Sequence, residues 1–537
     1  CGSLVNAQEV FNMHQNQDIS SWNALISGYV AFGDGKQVLN CFENMQMRGV
    51  LPNSITFVCM LKVCGIVQAI GKGHEIHTRI GHAYLDENPF LGNALVDMYA
   101  KCGFLTKAQQ VFDILPVHDT ISWNVLITAY ARHGLLVKAQ ELFDKLLARD
   151  IVSWNSLMGG YAEQSQAEEA LQCLKEMALT GRSGNNVTFL LALKACSSAG
   201  NITTSLELHM EISKKGFEND LYIGTALIAN YSKCGSLIDA CSVFYGLYER
   251  SIVAWNTLIS GYVDNGHGEE ALTCFGQMQQ EGISPNPVTF LCILKACGKT
   301  GAILKGEEIH AQIVRKGFLL GTEHTPVRNA LVDMYAKCGA FEKAEEVFRQ
   351  SPVWNVVSWT ALISGYTQHG RGHEALECFE MMERNGFWPN VVTYLCILKA
   401  CGLAGAIGKG EKIHAEIVRE RLLEKNVSLG NALIDMYAKF GLMAKAEGVF
   451  ESLQTFRNEV SWNTLIGGYS QNGFCEEALR YFEQMQRGGF SPNNVTFLYI
   501  LKACGRIGAM DKGEEIHAEV KRKGLLTTNI IVGSAVV

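Results

Sequence analysis

The chain has 537 residues, a length that would ordinarily divide into three or four domains of typical size. Hydrophobic residues make up 48% and charged residues 18%, yet no apolar run approaches the roughly 18 residues that a membrane-spanning helix requires, so a soluble protein is expected. A net charge of −7 excludes a uniformly basic nucleic-acid binder and leaves room only for a local basic stripe.

The chain opens at Cys1 without a Met or a charged leader and stops at Val537 inside a recurring pattern, so both ends are expected to be truncated. Trp22, Trp123, Trp154, Trp255, Trp359 and Trp462 each stand in a segment like Ser-Trp-Asn-x-Leu-Ile-x-Gly-Tyr, at spacings of 101, 31, 101, 104 and 103 residues. Between them recur a Leu-Lys-Ala-Cys segment and an Asn-Ala-Leu-Val-Asp-Met-Tyr-Ala-Lys-Cys-Gly segment. The repeating unit is therefore a triplet of about 35, 35 and 31 residues.

In chain order, residues 1–18 complete the tail of one unit, and the triplet members follow as 19–53, 54–88 and 89–119, then a short tryptophan variant at 120–150. The series continues with 151–185, 186–220, 221–251, 252–286, 287–324, 325–355, 356–390, 391–426, 427–458, 459–493 and 494–529, and residues 530–537 open another unit. That makes fifteen full repeats with no visible linker, so the array is expected to be the whole chain.

Within 459–493, Trp462, Leu465, Ile466 and Tyr469 recur at i, i+3, i+4 and i+7, the signature of one helix face, and Gly473 ends it. A second face runs through Ala478, Leu479, Phe482 and Met485 before Gly489 and Pro492. Each unit is thus predicted to be a helical hairpin. A lone hairpin cannot bury both apolar faces, so neighbours must stack, and the fold class expected is all-α: a right-handed α-solenoid superhelix with a concave groove.

A period near 34 also fits tetratricopeptide repeats, which bind peptides. Ser-Trp-Asn-Thr-Leu-Ile at 461–466, Pro-Asn-Asn-Val-Thr-Phe at 492–497 and the triplet of lengths instead resemble pentatricopeptide repeats, over the whole chain. The alternation resembles the PLS subclass of plant organellar proteins: tryptophan units as P, Lys-Ala-Cys units as L and Met-Tyr-Ala-Lys units as S.

The resemblance implies a function. In that family the fifth and last residues of each P or S repeat select one RNA base, and the second residues pack against base faces. Carried over to this sequence, the pairs are Asn23 with Asn53, Asn93 with Asp119, Asn124 with Asp150, Asn155 with Asn185, and Thr225 with Ser251. They continue as Asn256 with Asn286, Asn329 with Asn355, Thr360 with Asn390, Asn431 with Asn458, and Asn463 with Asn493. The family's code assigns U to Asn with Asp, a pyrimidine to Asn with Asn, A to Thr with Asn, and a purine to Thr with Ser. L repeats carry Val58, Leu190, Leu291, Leu395 and Leu498 at the fifth position and are left unread. With the amino terminus at the RNA 5′ end, the implied target is Y-n-U-U-Y-n-R-Y-n-Y-A-n-Y-Y-n. The plain alternative for the asparagines is helix N-capping.

Lys101, Lys233, Lys337 and Lys439 share the thirteenth position of the S repeats and Arg132 that of the short variant. They are candidates for RNA phosphate contacts, or for charges that complement helix C-termini. A second row, Lys62, Lys194, Lys295, Lys399 and Lys502, marks the ninth position of the L repeats without a face assigned to it.

The 18 cysteines are periodic, and Phe440 and Tyr481 replace two of them, so they read as small packing residues in a reducing compartment rather than disulfides or metal ligands. His74 and His77 lack the spacing of a zinc-binding helix, and Gly-Lys-Gly at 71–73 and 408–410 lacks the hydroxyl of a phosphate-binding loop. No catalytic constellation stands apart from the repeats, and no cofactor, metal or small-molecule substrate is expected.

PLS proteins often end in deaminase-like domains with His-x-Glu and Pro-Cys-x2-Cys signatures, which this span lacks. The expected function is therefore selection of a C-to-U editing site on a mitochondrial or chloroplast transcript. Its partners are single-stranded RNA, editing-complex proteins and a deaminase from a missing C terminus or a second protein. The alternatives are a structural subunit of an organellar ribonucleoprotein and an RNA-stabilising factor.

Overall fold

The computed structural model describes residues 4–13, 17–319, 321, 324–351 and 353–523. Among them are 31 α-helices, one short 3-10 turn and no strand. The end of the last L repeat and the partial unit at 530–537 lie outside the described residues. The chain falls into two compact units, Cys1–Gly261 and Tyr262–Val537.

Each unit is a succession of helical hairpins, and repeat 459–493 shows why. Its first helix, Glu459–Gln471, buries Trp462, Leu465, Ile466 and Tyr469; its second, Cys475–Arg487, buries Ala478, Phe482 and Met485, while Leu479 is half-buried. Gly473, at φ +86°, makes the left-handed turn between the helices. At the equivalent position of repeat 151–185 stands Ser165, held at φ +59°, and Gln68 likewise occupies at φ +56° the place that Gly200, Gly301, Gly405 and Gly508 hold in the other L repeats.

Neighbouring hairpins lock through two recurrent contacts. The tryptophan ring of a P repeat stands edge-on to a phenylalanine of the preceding second helix: Trp22 on Phe11, Trp154 on Phe143 and Trp359 on Phe348, each with centroids 4.6 Å apart. Adjacent first helices also approach closely. A Cβ at Gly365 would lie 2.4 Å from that of Ala336, so only glycine fits there.

The length classes have a simple origin. Second helices of P repeats such as Ala167–Leu179 and Gly372–Arg384 have 13 residues, whereas those of 31-residue repeats such as Leu105–Ile114 and Leu136–Lys145 have 10. The missing residues are one turn of the second helix, so the first helices, which carry the fifth positions, keep one register throughout.

Candidate nucleic-acid interface

The last residue of a P or S repeat is the N-cap of the next repeat's first helix. Asp119 Oδ1 accepts from the Ser122 backbone N–H at 2.7 Å, and Asp150 Oδ1 accepts from that of Ser153 at 2.7 Å. Asn53, Asn185, Asn286, Asn355, Asn390, Asn458 and Asn493 cap in the same way through their side-chain oxygens. Ser251 accepts from the Ala254 backbone at 3.2 Å. The capping reading of the asparagines therefore holds for the last residues. It does not hold for the fifth residues, which sit one turn inside their helices.

Fifth-position amides are instead aimed at the caps. Asn124 Nδ2 donates to Asp150 at 3.2 Å, and Asn93 Nδ2 to both carboxylate oxygens of Asp119 at 3.3 Å. Asn23 donates to Asn53 at 3.0 Å, Asn155 to Asn185 at 3.3 Å, Asn329 to Asn355 at 3.2 Å and Asn431 to Asn458 at 3.5 Å. Two pairs meet through the buried threonine at the third position of the following L repeat. Thr496 Oγ lies 2.5 Å from Asn463 Oδ1 and is also bonded to Asn493, while Thr393 joins Thr360, at 2.8 Å, to Asn390. Thr225 turns to its own helix, bonding the Leu221 carbonyl at 2.7 Å, and is not joined to Ser251. Asn256, in the first unit, is buried, and Asn286, in the second, caps the helix Pro287–Thr300.

Burial would raise the Asp150 carboxyl, but the backbone and hydroxyl of Ser153, the Asn124 amide and the Val152 backbone all donate to it and hold it below the usual range. It is a fixed negative acceptor at neutral pH.

These pairs are bordered by half-exposed apolar side chains at the second position, among them Val152, Val253, Val357 and Val460. Between 325–355 and 356–390 the arrangement forms an open cavity of about 780 Å³, lined by Asn329, Asn355, Thr360 and Asn390 together with Val357, Val392 and Lys337. Fifth, last and second residues of successive repeats thus share one wall.

A model of the PPR repeat family matches residues 17–65, 149–198, 250–299, 355–402 and 457–506, and the PPR repeat model matches 93–117, 121–151, 327–353, 431–457 and 495–525. The chain belongs to the pentatricopeptide repeat family. It is 34% identical over 96% of its length to a chloroplastic pentatricopeptide repeat-containing protein of Arabidopsis thaliana, of which it spans 78%. It is 32% identical over 96% of its length to a mitochondrial one from the same plant, of which it spans 47%. Across such relatives it spans from about half to about four-fifths of the longer protein. Among solved structures it is similar to the maize pentatricopeptide repeat protein PPR10, with a TM-score of 0.61 and 21% identity over 98% of this chain and 76% of that one. PPR10 in complex with an 18-nt psaJ RNA element matches with a TM-score of 0.57 and 21% identity, over 95% of this chain and 80% of that one.

The pentatricopeptide repeats here also settle the surroundings of the basic rows. Lys101, Lys337 and Lys439 end their helices and each pairs with the aspartate one turn earlier: Asp97 at 2.7 Å, Asp333 at 2.6 Å and Asp435 at 2.6 Å. Lys233 and Arg132 have Ala229 and Thr128 at that position and no carboxylate partner among the described residues. The sequence row thus holds two kinds of cation, and the i, i+4 aspartates that distinguish them were visible in the sequence. In the second row, Lys295 bonds Asp264 at 2.7 Å and Lys194 lies 4.0 Å from Glu163, each bridging to the preceding P repeat.

No disulfide occurs among the described cysteines, and burial pushes the thiols of Cys173, Cys297 and Cys378 up to about 12. No group of three or more metal-ligating side chains occurs among the described residues. The repeated histidines pin L repeats to S repeats: His77 bonds the Tyr99 hydroxyl at 2.8 Å, and His209, His310 and His414 bond Tyr231, Tyr335 and Tyr437 at 2.9 Å. His74 shares Tyr99 at 3.0 Å.

Proposed function

We propose that this chain binds single-stranded RNA, one nucleotide per repeat, and selects a site on an organellar transcript for C-to-U editing by a deaminase supplied from outside the span. The observation that carries the reading is the recurrent pair in which a fifth-position amide or hydroxyl is held against a capping oxygen beside an aliphatic second residue. Such a pair offers hydrogen-bonding groups in a fixed place and a flat apolar flank, which suits the edge and face of an unpaired base. The RNA found with PPR10 supports the ligand class. Chloroplastic and mitochondrial relatives support an organellar setting, and the PLS-like alternation of repeat lengths supports the editing role.

The test is a titration at fixed salt of a fifteen-nucleotide RNA matching Y-n-U-U-Y-n-R-Y-n-Y-A-n-Y-Y-n against its purine-swapped counterpart. Wrong bases cost on the order of 1–3 kcal/mol each at hydrogen-bonded reading sites, so a preference of at least about tenfold is expected. Equal affinity would favour a scaffold that holds RNA or protein without reading bases.

A further inference from the structure

Each L repeat carries a lysine at its ninth position, and the five have unlike neighbours. Lys62, Lys194, Lys295, Lys399 and Lys502 are all exposed. Each stands four residues after the aliphatic fifth residue and seven after the second, so it leaves its helix on the face that those two share. Ninth positions of the other classes open on the same space: Asp333 and Ser364 line the cavity that also holds Asn329, Asn355, Thr360 and Asn390. The lysine row therefore lies along the wall of the fifth-position pairs.

The charge each lysine offers is decided by the thirteenth residue of the preceding P repeat. Where that residue is Asp264, Lys295 Nζ donates to its carboxylate at 2.7 Å, and where it is Glu163, Lys194 lies 4.0 Å away. In the remaining three cases it is Ala31, Gln368 or Gln471, and Lys62, Lys399 and Lys502 make no ion pair among the described residues. A lysine held against a carboxylate brings almost no net charge to an anion. To reach a phosphate it must leave its partner and set that carboxylate beside the phosphate, which repels it.

Resting on the RNA-binding part of the reading above, we infer that L repeats hold the strand by its backbone, with Lys62, Lys399 and Lys502 each contacting a phosphate and Lys194 and Lys295 silenced by Glu163 and Asp264. A phosphate contact carries no sequence information, so this grip adds affinity without choosing a base. Within the second unit it falls on the later repeats, because Lys295 and Lys337 are both paired.

The test follows the affinity of the fifteen-nucleotide target and of its purine-swapped counterpart through a salt series, in the full chain and in Lys399→Ala, Lys502→Ala, Lys295→Ala and Asp264→Asn. All four side chains are exposed, and a melting curve verifies that each variant keeps its fold. Lys399→Ala and Lys502→Ala should each flatten the log-log salt slope by about 0.7 on both RNAs, leaving the preference between them within about twofold of its original value. Lys295→Ala should flatten it by less than about 0.2, and Asp264→Asn, which unmasks Lys295, should steepen it by about 0.7. That steepening is a gain which the loss of a merely structural contact does not produce. Unchanged slopes in Lys399→Ala and Lys502→Ala, with the target still preferred, overturn this inference and leave the RNA reading standing; equal flattening by Lys295→Ala overturns the silencing. Equal affinity for the two RNAs, with the slopes as expected, overturns base reading and leaves the backbone grip standing. Binding to neither RNA overturns both.

Discussion

Repeats 120–150 and 391–426 are the same hairpin with opposite habits at two positions. In the first, Asn124 is aimed at Asp150, which caps the next helix; in the second, the fifth residue is Leu395 and the last, Asn426, turns back to the Leu422 carbonyl at 3.3 Å. The two positions change together. Among the described residues, where the fifth residue is polar the last one caps, and where it is aliphatic the last one is released, save at Asp220. A cap alone needs no partner four residues inside the preceding repeat's first helix, so this coupling points to a two-residue unit laid over a common scaffold.

The scaffold itself is the place to expect the largest effect. Trp359→Ala, which removes a buried ring packed on Phe348, should cost about 3–5 kcal/mol in denaturant unfolding and weaken P and L repeats alike. An effect below about 1 kcal/mol would mean that the edge-on aromatic contacts do not hold neighbouring hairpins together.

Converting one class into the other comes next. Asn124→Leu should lower discrimination at nucleotide four about tenfold, measured by competition binding, with little change in melting temperature. It should also alter acid stability. The Asp150 carboxyl is depressed in the folded state, so its contribution is complete above the ordinary carboxylate range near about 4 and is lost as pH falls through the lower folded value. Removing the Asn124 donor raises that folded value toward the unfolded one, so the acid-side loss should be smaller and should be complete at higher pH in stability-versus-pH curves.

Smaller effects distinguish individual members of a class. Gln68→Gly and Ser165→Gly restore the residue that suits a left-handed turn and should each stabilise by about 1 kcal/mol. Lys233→Ala should reduce the log-log salt slope of RNA binding by about 0.7. The same change at Lys101, already paired with Asp97, should reduce it less.

Much of this was legible in the sequence because it repeats. Trp462, Ile466 and Tyr469 announce a helix face, Gly473 its end, and the Trp-to-Trp spacing the triplet. Fifth and last positions could be paired by family resemblance, and six of the pairs are bonded side chain to side chain. What stayed hidden depends on atoms distant in sequence. One oxygen of Asp150 or Asn53 serves cap and pair together, which composition cannot separate. Thr393 links Thr360 to Asn390 from the next repeat. Thr225 and Ser251 matched the pattern by position, yet a threonine hydroxyl inside a helix finds its own carbonyl first.

On the proposed reading a coupled pair, and not the scaffold, chooses the base. The most direct measurement exchanges one pair for another: Asn124→Thr with Asp150→Asn, which gives repeat 120–150 the pair that repeat 356–390 carries. Binding of RNAs differing only at nucleotide four should then move in preference from U to A. Retained preference for U, or its loss with no gain for A, would rule out the pair as the selector of the base.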